Sequence, residues 1–162
     1  MIKILFVCHG NICRSPMAEY ILKQKISDRS LEHLIYVESA ATSTEEIGNP
    51  VYPPAREELA KHGINCKGHH ARQVCAKDYE TFDYIIGMED IHLQIMRKRF
   101  FNGDPSGKLH LCMDFSARPG EQVDDPWYTG DFLGVYKQID EGCEGLLERV
   151  SVFLREGSKD DI

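Results

Sequence analysis

The 162-residue chain has no Cys-x-x-Cys pair, no long apolar run and no cluster of lysines and arginines long enough to override its negative charge. Each absence removes a class of function. Six cysteines lie scattered at Cys8, Cys13, Cys66, Cys75, Cys112 and Cys143, and the seven histidines do not pair with them at zinc-finger spacing. His69 and His70 are adjacent, which is poor geometry for two ligands of one metal, so no metal is expected. The apolar stretch Ile4–Val7 is too short for a secretory signal or a membrane span. Scattered cysteines without a signal read as reduced thiols in a cytoplasmic protein. A formal net charge of −7 opposes binding to nucleic acid phosphates. Attraction for any anion must therefore be local. Tryptophan occurs once, at Trp127.

What is present reads as alternating strands and helices. Ile2–Val7 is a nearly continuous apolar run with β-branched members, as a parallel strand buried on both faces would be. Ser15-Pro16 offers a helix start, since proline suits the first helical position. Leu34–Val37 is a second strand. A helix opens at Pro54, carries Leu59 and stops at Gly63. Tyr84–Met88 is a third strand, Ile91–Phe100 a helix with basic residues near its end, and Leu109–Met113 a fourth strand. The stretch 116–130 lacks periodicity and reads as a loop. Apolar residues from Phe132 to Phe153 then recur about every 3.6 residues, the clearest helix in the chain. We expect one domain over 1–157 and a frayed acidic tail over 158–162. The alternation implies an α/β fold with a parallel sheet covered on both faces. Ligands of such sheets bind beyond the carboxyl ends of the strands. The end of the first strand and the loop 116–130 should therefore share one edge.

At that edge stands "VCHGNICRSP", Val7–Pro16. A backbone bent around Gly10 can turn several N–H groups inward as an anion-binding nest. The following helix adds its positive end, and Arg14 a planar fork that grips two oxygens at once. All three favour thiolate over thiol at Cys8, which then lies beneath a held phosphorus atom as an activated nucleophile. Attack on phosphorus would give a phosphocysteine, later hydrolysed by water. The leaving oxygen needs a proton donor. The best candidate is Asp125 in "DDPWYTG", with Trp127 and Tyr128 able to wall a pocket for a flat aromatic ring.

Together the two motifs resemble the low-molecular-weight protein tyrosine phosphatases. Chain length, motif order and the intervening "ARQV" and "FDYIIGM" also match, so the resemblance spans nearly the whole chain. It implies a flavodoxin-like doubly wound sheet of four parallel strands with helices on both faces. It implies Cys8 as nucleophile, Arg14 as transition-state clamp, and Asp125 as acid and then as base for water. His9, Gly10, Asn11, Ile12, Cys13 and Ser15 complete the phosphate-binding loop. Asn11 and Ser15 would hold its strained shape, with Ser39 and His69 as partners of the asparagine and His70 as the competing assignment for His69. Cys13 matches a second cysteine able to pair reversibly with the nucleophile. No metal or other cofactor is implied. The expected partner is a phosphotyrosine-bearing protein or a small aryl phosphate, with no nucleic acid or membrane, and a monomer is favoured.

Four residues depart from the family pattern. Glu45 and Glu46 stand where many members carry an aromatic residue, so one wall of the ring pocket is missing or acidic. Trp127 replaces a commoner tyrosine, and Glu89 a usual aspartate. Cys66, Cys75, Cys112 and Cys143 read as packing residues. Three rival functions fit parts of the pattern. A protein-arginine phosphatase would carry threonine where this chain has Ile12. A thiol-dependent arsenate reductase would need a relay of further cysteines in a mobile segment, which Cys66 and Cys75 do not resemble. A phosphocysteine carrier would need neither Asp125 nor Arg14 in this arrangement.

Overall fold

The computed structural model describes residues 1–160. Strand β1 (Ile2–Cys8) pairs in parallel with β2 (Ile35–Ala41) on one side and with β3 (Tyr84–Gly87) on the other. Strand β4 (Leu109–Leu111) extends the sheet beyond β3, giving the order β2-β1-β3-β4, parallel throughout. The side-chain alternation of β1 explains why both faces are covered. Ile4, Phe6 and Cys8 face one core, with Met17, Ile21 and Leu22 of helix α1 (Arg14–Asp28). Helix α2 (Pro53–Lys61) and helix α6 (Phe132–Asp160) close that layer through Leu59, Ile139 and Leu146. Leu5 and Val7 face a smaller core with Phe82, Leu93 and Met96, supplied by the short helices α3 (Asp78–Thr81) and α4 (Asp90–Ile95) and their flanks. The fold is the parallel α/β sheet covered on both faces that the alternation predicted, in the doubly wound four-stranded form that the family resemblance implies.

From β1 the chain crosses to β2 on one side and later returns to β3 on the other. The gap at the carboxyl end of β1 is therefore the point where strand order reverses, and sheets of this kind bind ligands there. Cys8 is the last residue of β1.

Several boundaries differ from the sequence reading. Helix α1 begins at Arg14, so Pro16 sits inside the first turn, where its missing N–H has no intrahelical acceptor to lose. Helix α2 opens at Pro53 rather than Pro54. The second strand runs on to Ala41, through Glu38 and Ser39. The helix expected to reach Phe100 becomes a wider π turn over Met96–Phe100, closed by Phe101 N–H donating to Met96 C=O at 2.8 Å. The extra residue returns Phe101 to the same core as Met96. The fourth strand stops at Leu111, and Cys112–Phe115 form a 3₁₀ turn instead. Within the loop 116–130, Pro126–Thr129 make a single helical turn, α5, with Asp125 as its N-cap. Helix α6 runs to Asp160, into the stretch 158–162 read as a tail, and 161–162 lie outside the described residues.

Among the described residues no helix is long and apolar enough to cross a membrane. None of their His, Cys, Asp and Glu side chains group to hold a metal ion.

Candidate active site

The turn after β1 is held open by one residue in an unusual conformation. Asn11 has φ 60°, a left-handed backbone that asparagine tolerates better than most residues. Its side chain is fully buried and fully used. The Asn11 amide donates to Ser15 Oγ at 2.8 Å and to Ser39 Oγ at 2.9 Å, and its oxygen accepts the Arg72 N–H at 3.1 Å. The backbone carbonyl of Asn11 lies 2.8 Å from His69 Nε2. His69 is buried, while His70 is exposed and lies 3.3 Å from Gly48 O, so His69 is the partner. Ser39 donates onward to the buried Glu19 at 2.6 Å. The loop's strain is thus fixed by a hydrogen-bonded network reaching β2 and α1, which rigidifies because its members are satisfied. Sequence reasoning found Asn11, Ser15, Ser39 and His69, and missed Glu19 and Arg72.

Within this frame the backbone amides of Gly10, Asn11, Ile12 and Cys13 donate to no protein acceptor among the described residues. They lie between Cys8 and the start of α1, where an anion would satisfy them together with the helix dipole. Cys8 Sγ is 3.0 Å from Ser15 Oγ and accepts the Ser15 N–H at 3.4 Å. Both contacts stabilise a negative sulfur. Burial pushes the Cys13 thiol well up, reinforced by Cys8 and Asp125, so Cys13 stays protonated.

Arg14 is 3% exposed, and its orientation is over-determined. Nη1 donates to Glu89 Oε1 at 2.6 Å and to Val123 C=O at 2.8 Å, and Nη2 lies 3.5 Å from Asp125 Oδ2. The loop 116–130 therefore reaches the end of β1 as the sheet topology predicted. Glu89 is the N-cap of α4; its main-chain carbonyl accepts the His92 N–H at 3.0 Å, while its own N–H donates to His92 Nδ1 at 3.0 Å. Burial, followed by the charges of Arg14 and His9, pushes the His92 imidazole down to about 3. It is a neutral acceptor at working pH. Nothing in the residue pattern marked His92 or the Val123 carbonyl.

A cavity of about 430 Å³ opens over the loop. Cys8, Gly10, Cys13 and Arg14 form its floor, with Ile12 and His9 beside them. Asp125, Trp127 and Tyr128 stand along one wall, Glu45 and Glu46 along the other. Every residue assigned to the pocket from sequence is there. Glu45 is more than a solvated charge, because His9 Nε2 lies 3.0 Å from its carboxylate across the rim. Trp127 is backed by Tyr52, ring centroids 4.6 Å apart, an aromatic support that the sequence reading missed. Asp125 Oδ1 accepts the Trp127 N–H at 3.0 Å as the cap of α5, which fixes the carboxyl beside Arg14. Cys66, Cys112 and Cys143 are buried as expected, but Cys75 is exposed and packs no core.

Residues 3–155 match the model of the low molecular weight phosphotyrosine protein phosphatases. The chain is 40% identical to the low molecular weight phosphotyrosine protein phosphatase of Gallus gallus over 149 residues, 90% of this chain and 94% of that one. It is 36% identical to the low molecular weight protein-tyrosine-phosphatase PtpA of Staphylococcus aureus (strain bovine RF122 / ET3-1), covering 97% and 100% of the two. The crystal structure of YfkJ from Bacillus subtilis superposes with a TM-score of 0.89 at 38% identity, over 93% of this chain and 95% of that one. With the fold, the loop and the matching length in agreement, the chain belongs to the low molecular weight phosphotyrosine protein phosphatase family.

Proposed function

We propose that this protein hydrolyses aryl phosphomonoesters, phosphotyrosine in proteins above all, through a phosphocysteine intermediate. The observation that carries the reading is the meeting of Cys8, Arg14 and Asp125 on one cavity, with Ser15 Oγ 3.0 Å from the sulfur. The free amides of the loop, the amino end of α1 and Arg14 hold the three non-bridging oxygens. Cys8 thiolate attacks phosphorus opposite the aryl oxygen; the S–P bond forms as the P–O bond breaks. Asp125, protonated, gives its proton to the departing oxygen. The resulting carboxylate then takes a proton from water as that water attacks phosphorus. The S–P bond breaks, inorganic phosphate leaves, and thiolate is restored.

Other features favour this reading over its rivals. Ile12 puts an apolar side chain on the cavity, which suits a phosphoester better than phosphoarginine. Buried Cys66 and exposed Cys75 do not line the cavity, so the relay of further thiols beyond Cys13 that arsenate reduction would require has no member there. Asp125 beside Arg14 provides for water attack, which a phosphocysteine carrier would not need. Cys13 is the proposed redox partner. Once peroxide converts Cys8 to a sulfenic acid, the Cys13 sulfur displaces water from it and a disulfide forms. A cytoplasmic setting suits six cysteines that are all free.

The test is turnover of phosphotyrosine, phosphoserine and phosphoarginine peptides by the purified chain, beside its Cys8→Ser variant. Phosphotyrosine should be preferred and the variant inactive. Turnover retained without the thiol would refute the mechanism.

A further inference from the structure

A second concavity of about 440 Å³ adjoins the catalytic cavity, and His9, Arg14, Asp125 and Tyr128 line both. The two concavities therefore adjoin as two lobes of one cleft. The proposed mechanism fills one lobe with the phosphorylated ring and leaves the other unused. The walls of the second lobe are of two kinds. Ile91 and Ile95 of α4, with the 85% exposed Tyr128, offer apolar surface. Glu89 and Asp124 offer carboxylates.

The charges there are unbalanced. Arg14 is already engaged by Glu89 and Asp125, and His92 is a neutral acceptor of the Glu89 N–H. His9 is paired with Glu45 on the opposite rim. Asp124 is exposed, and its carboxylate has no ion-pair or hydrogen-bond partner among the described residues. No lysine lines either lobe, and Arg14 is the one arginine. A groove with an apolar wall and an unpaired carboxylate at its edge matches a side chain with a long aliphatic stem and a cationic end. Such side chains lay their stems on apolar surface and keep the charge at a polar rim.

We propose that the second lobe is a subsite for a lysine or arginine next to the phosphotyrosine in the substrate polypeptide, its stem on Ile91 and Tyr128 and its charge at Asp124. This rests on the phosphatase reading and adds a substrate class to it. The four shared lining residues place the two lobes side by side, so a neighbouring residue enters one while the phosphotyrosine occupies the other.

The experiment compares kcat/KM for phosphotyrosine peptides carrying lysine, norleucine or glutamate immediately before or after the phosphotyrosine. p-Nitrophenyl phosphate, which fills only the catalytic lobe, is the control. In one of the two positions lysine should exceed norleucine by about threefold to fivefold, as expected for one partly exposed ion pair, with glutamate lowest. Asp124→Asn should bring lysine down to norleucine and leave p-nitrophenyl phosphate unchanged. Ile91→Ser should lower lysine and norleucine together. Equal turnover of lysine and glutamate peptides overturns the proposal, as does a lysine preference that survives Asp124→Asn. A loss in Asp124→Asn that is equal for p-nitrophenyl phosphate overturns it too, by moving that residue's effect to the chemistry. Failure of the unaltered chain to turn over p-nitrophenyl phosphate would instead remove the phosphatase reading beneath it.

Discussion

The Arg14 guanidinium and the Glu89 carboxylate meet at 2.6 Å, joining the phosphate-binding loop to the N-cap of α4 across 75 residues of sequence. A buried cation needs a well-placed partner, and this one also fixes which way the fork points. The Glu89 main chain is itself held as the N-cap of α4, its carbonyl accepting the His92 N–H at 3.0 Å and its N–H donating to His92 Nδ1, so the backbone that carries the carboxylate is fixed.

Removing that hold should cost rate before it costs fold. In Glu89→Ala, Arg14 keeps the Val123 carbonyl but loses its shortest contact. We expect kcat to fall by about tenfold to a hundredfold, the size of effect that small misplacements of a reacting group produce. Vanadate affinity should fall with it. Glu89→Gln, which retains an acceptor, should recover much of both. Steady-state kinetics with vanadate inhibition checks this, and unchanged vanadate affinity in Glu89→Ala would show that Arg14 is held well enough without it.

His92 gives the same region a pH signature. Its folded pKa of about 3 lies below the 6.5 of an ordinary imidazole, so between those values the unfolded chain binds the extra proton. Stability from the neutral imidazole is therefore fully present above about pH 6.5 and is lost as pH falls toward 3. His92→Asn keeps an acceptor for the Glu89 N–H and removes the titration. Its melting temperature should fall less steeply than that of the unaltered protein between pH 6.5 and 4, measured by thermal unfolding across buffers. Parallel curves would show that His92 is not the titrating group.

Asp125 is fixed by its own helix turn, Oδ1 on the Trp127 N–H and Oδ2 3.5 Å from Arg14. If it is the acid, its loss must matter most where the leaving oxygen most needs a proton. Asp125→Asn keeps the cap and removes the proton. Turnover of an alkyl or phenyl phosphate should drop by about 10²- to 10³-fold, within the usual range for general acid catalysis. A nitrophenyl phosphate, whose leaving group is a stable anion, should lose much less. A leaving-group series measures this directly, and equal losses along it would assign the proton to another residue.

How much of this was legible in the sequence follows from what kind of signal each feature leaves. Cys8, Arg14 and Asp125 belong to motifs, and the apolar run of β1 made its burial on both faces readable. Strand β2 was cut short at Val37 because Glu38 and Ser39 look like solvent residues. Ser39 is nevertheless buried, because Asn11 and Glu19 satisfy its hydroxyl. Hydropathy cannot report a polar group whose partner lies 20 or 28 residues away. Glu19 was hidden for the same reason, lying among α1 residues with nothing local to mark it. The Val123 carbonyl carries no side-chain signal at all. The end of β4 was misread because Cys112 and Met113 are as buried as strand residues, although their backbone has turned.

What turns it aside can be tested at α6. Gly142 and Gly145 lie three apart on one face of that helix. A Cβ on Gly142 would come 2.7 Å from Cys112 O, and one on Gly145 would come 1.7 Å from Phe115 O. The helix thus rests directly on the backbone of the 3₁₀ turn, which cannot yield as a flexible side chain would. Helix propensity alone says that glycine to alanine should stabilise by up to about 1 kcal/mol. At Gly145 the collision should win, destabilising by about 1–3 kcal/mol or more, as overpacking against a rigid neighbour does. Gly157 lies on the same helix with nothing within 4 Å of its missing Cβ, so Gly157→Ala isolates the propensity effect. Urea unfolding of the two variants should therefore shift the midpoint in opposite directions, down for Gly145→Ala and slightly up for Gly157→Ala. A Gly145→Ala midpoint at or above that of the unaltered chain would mean that the helix does not lie against the turn in solution.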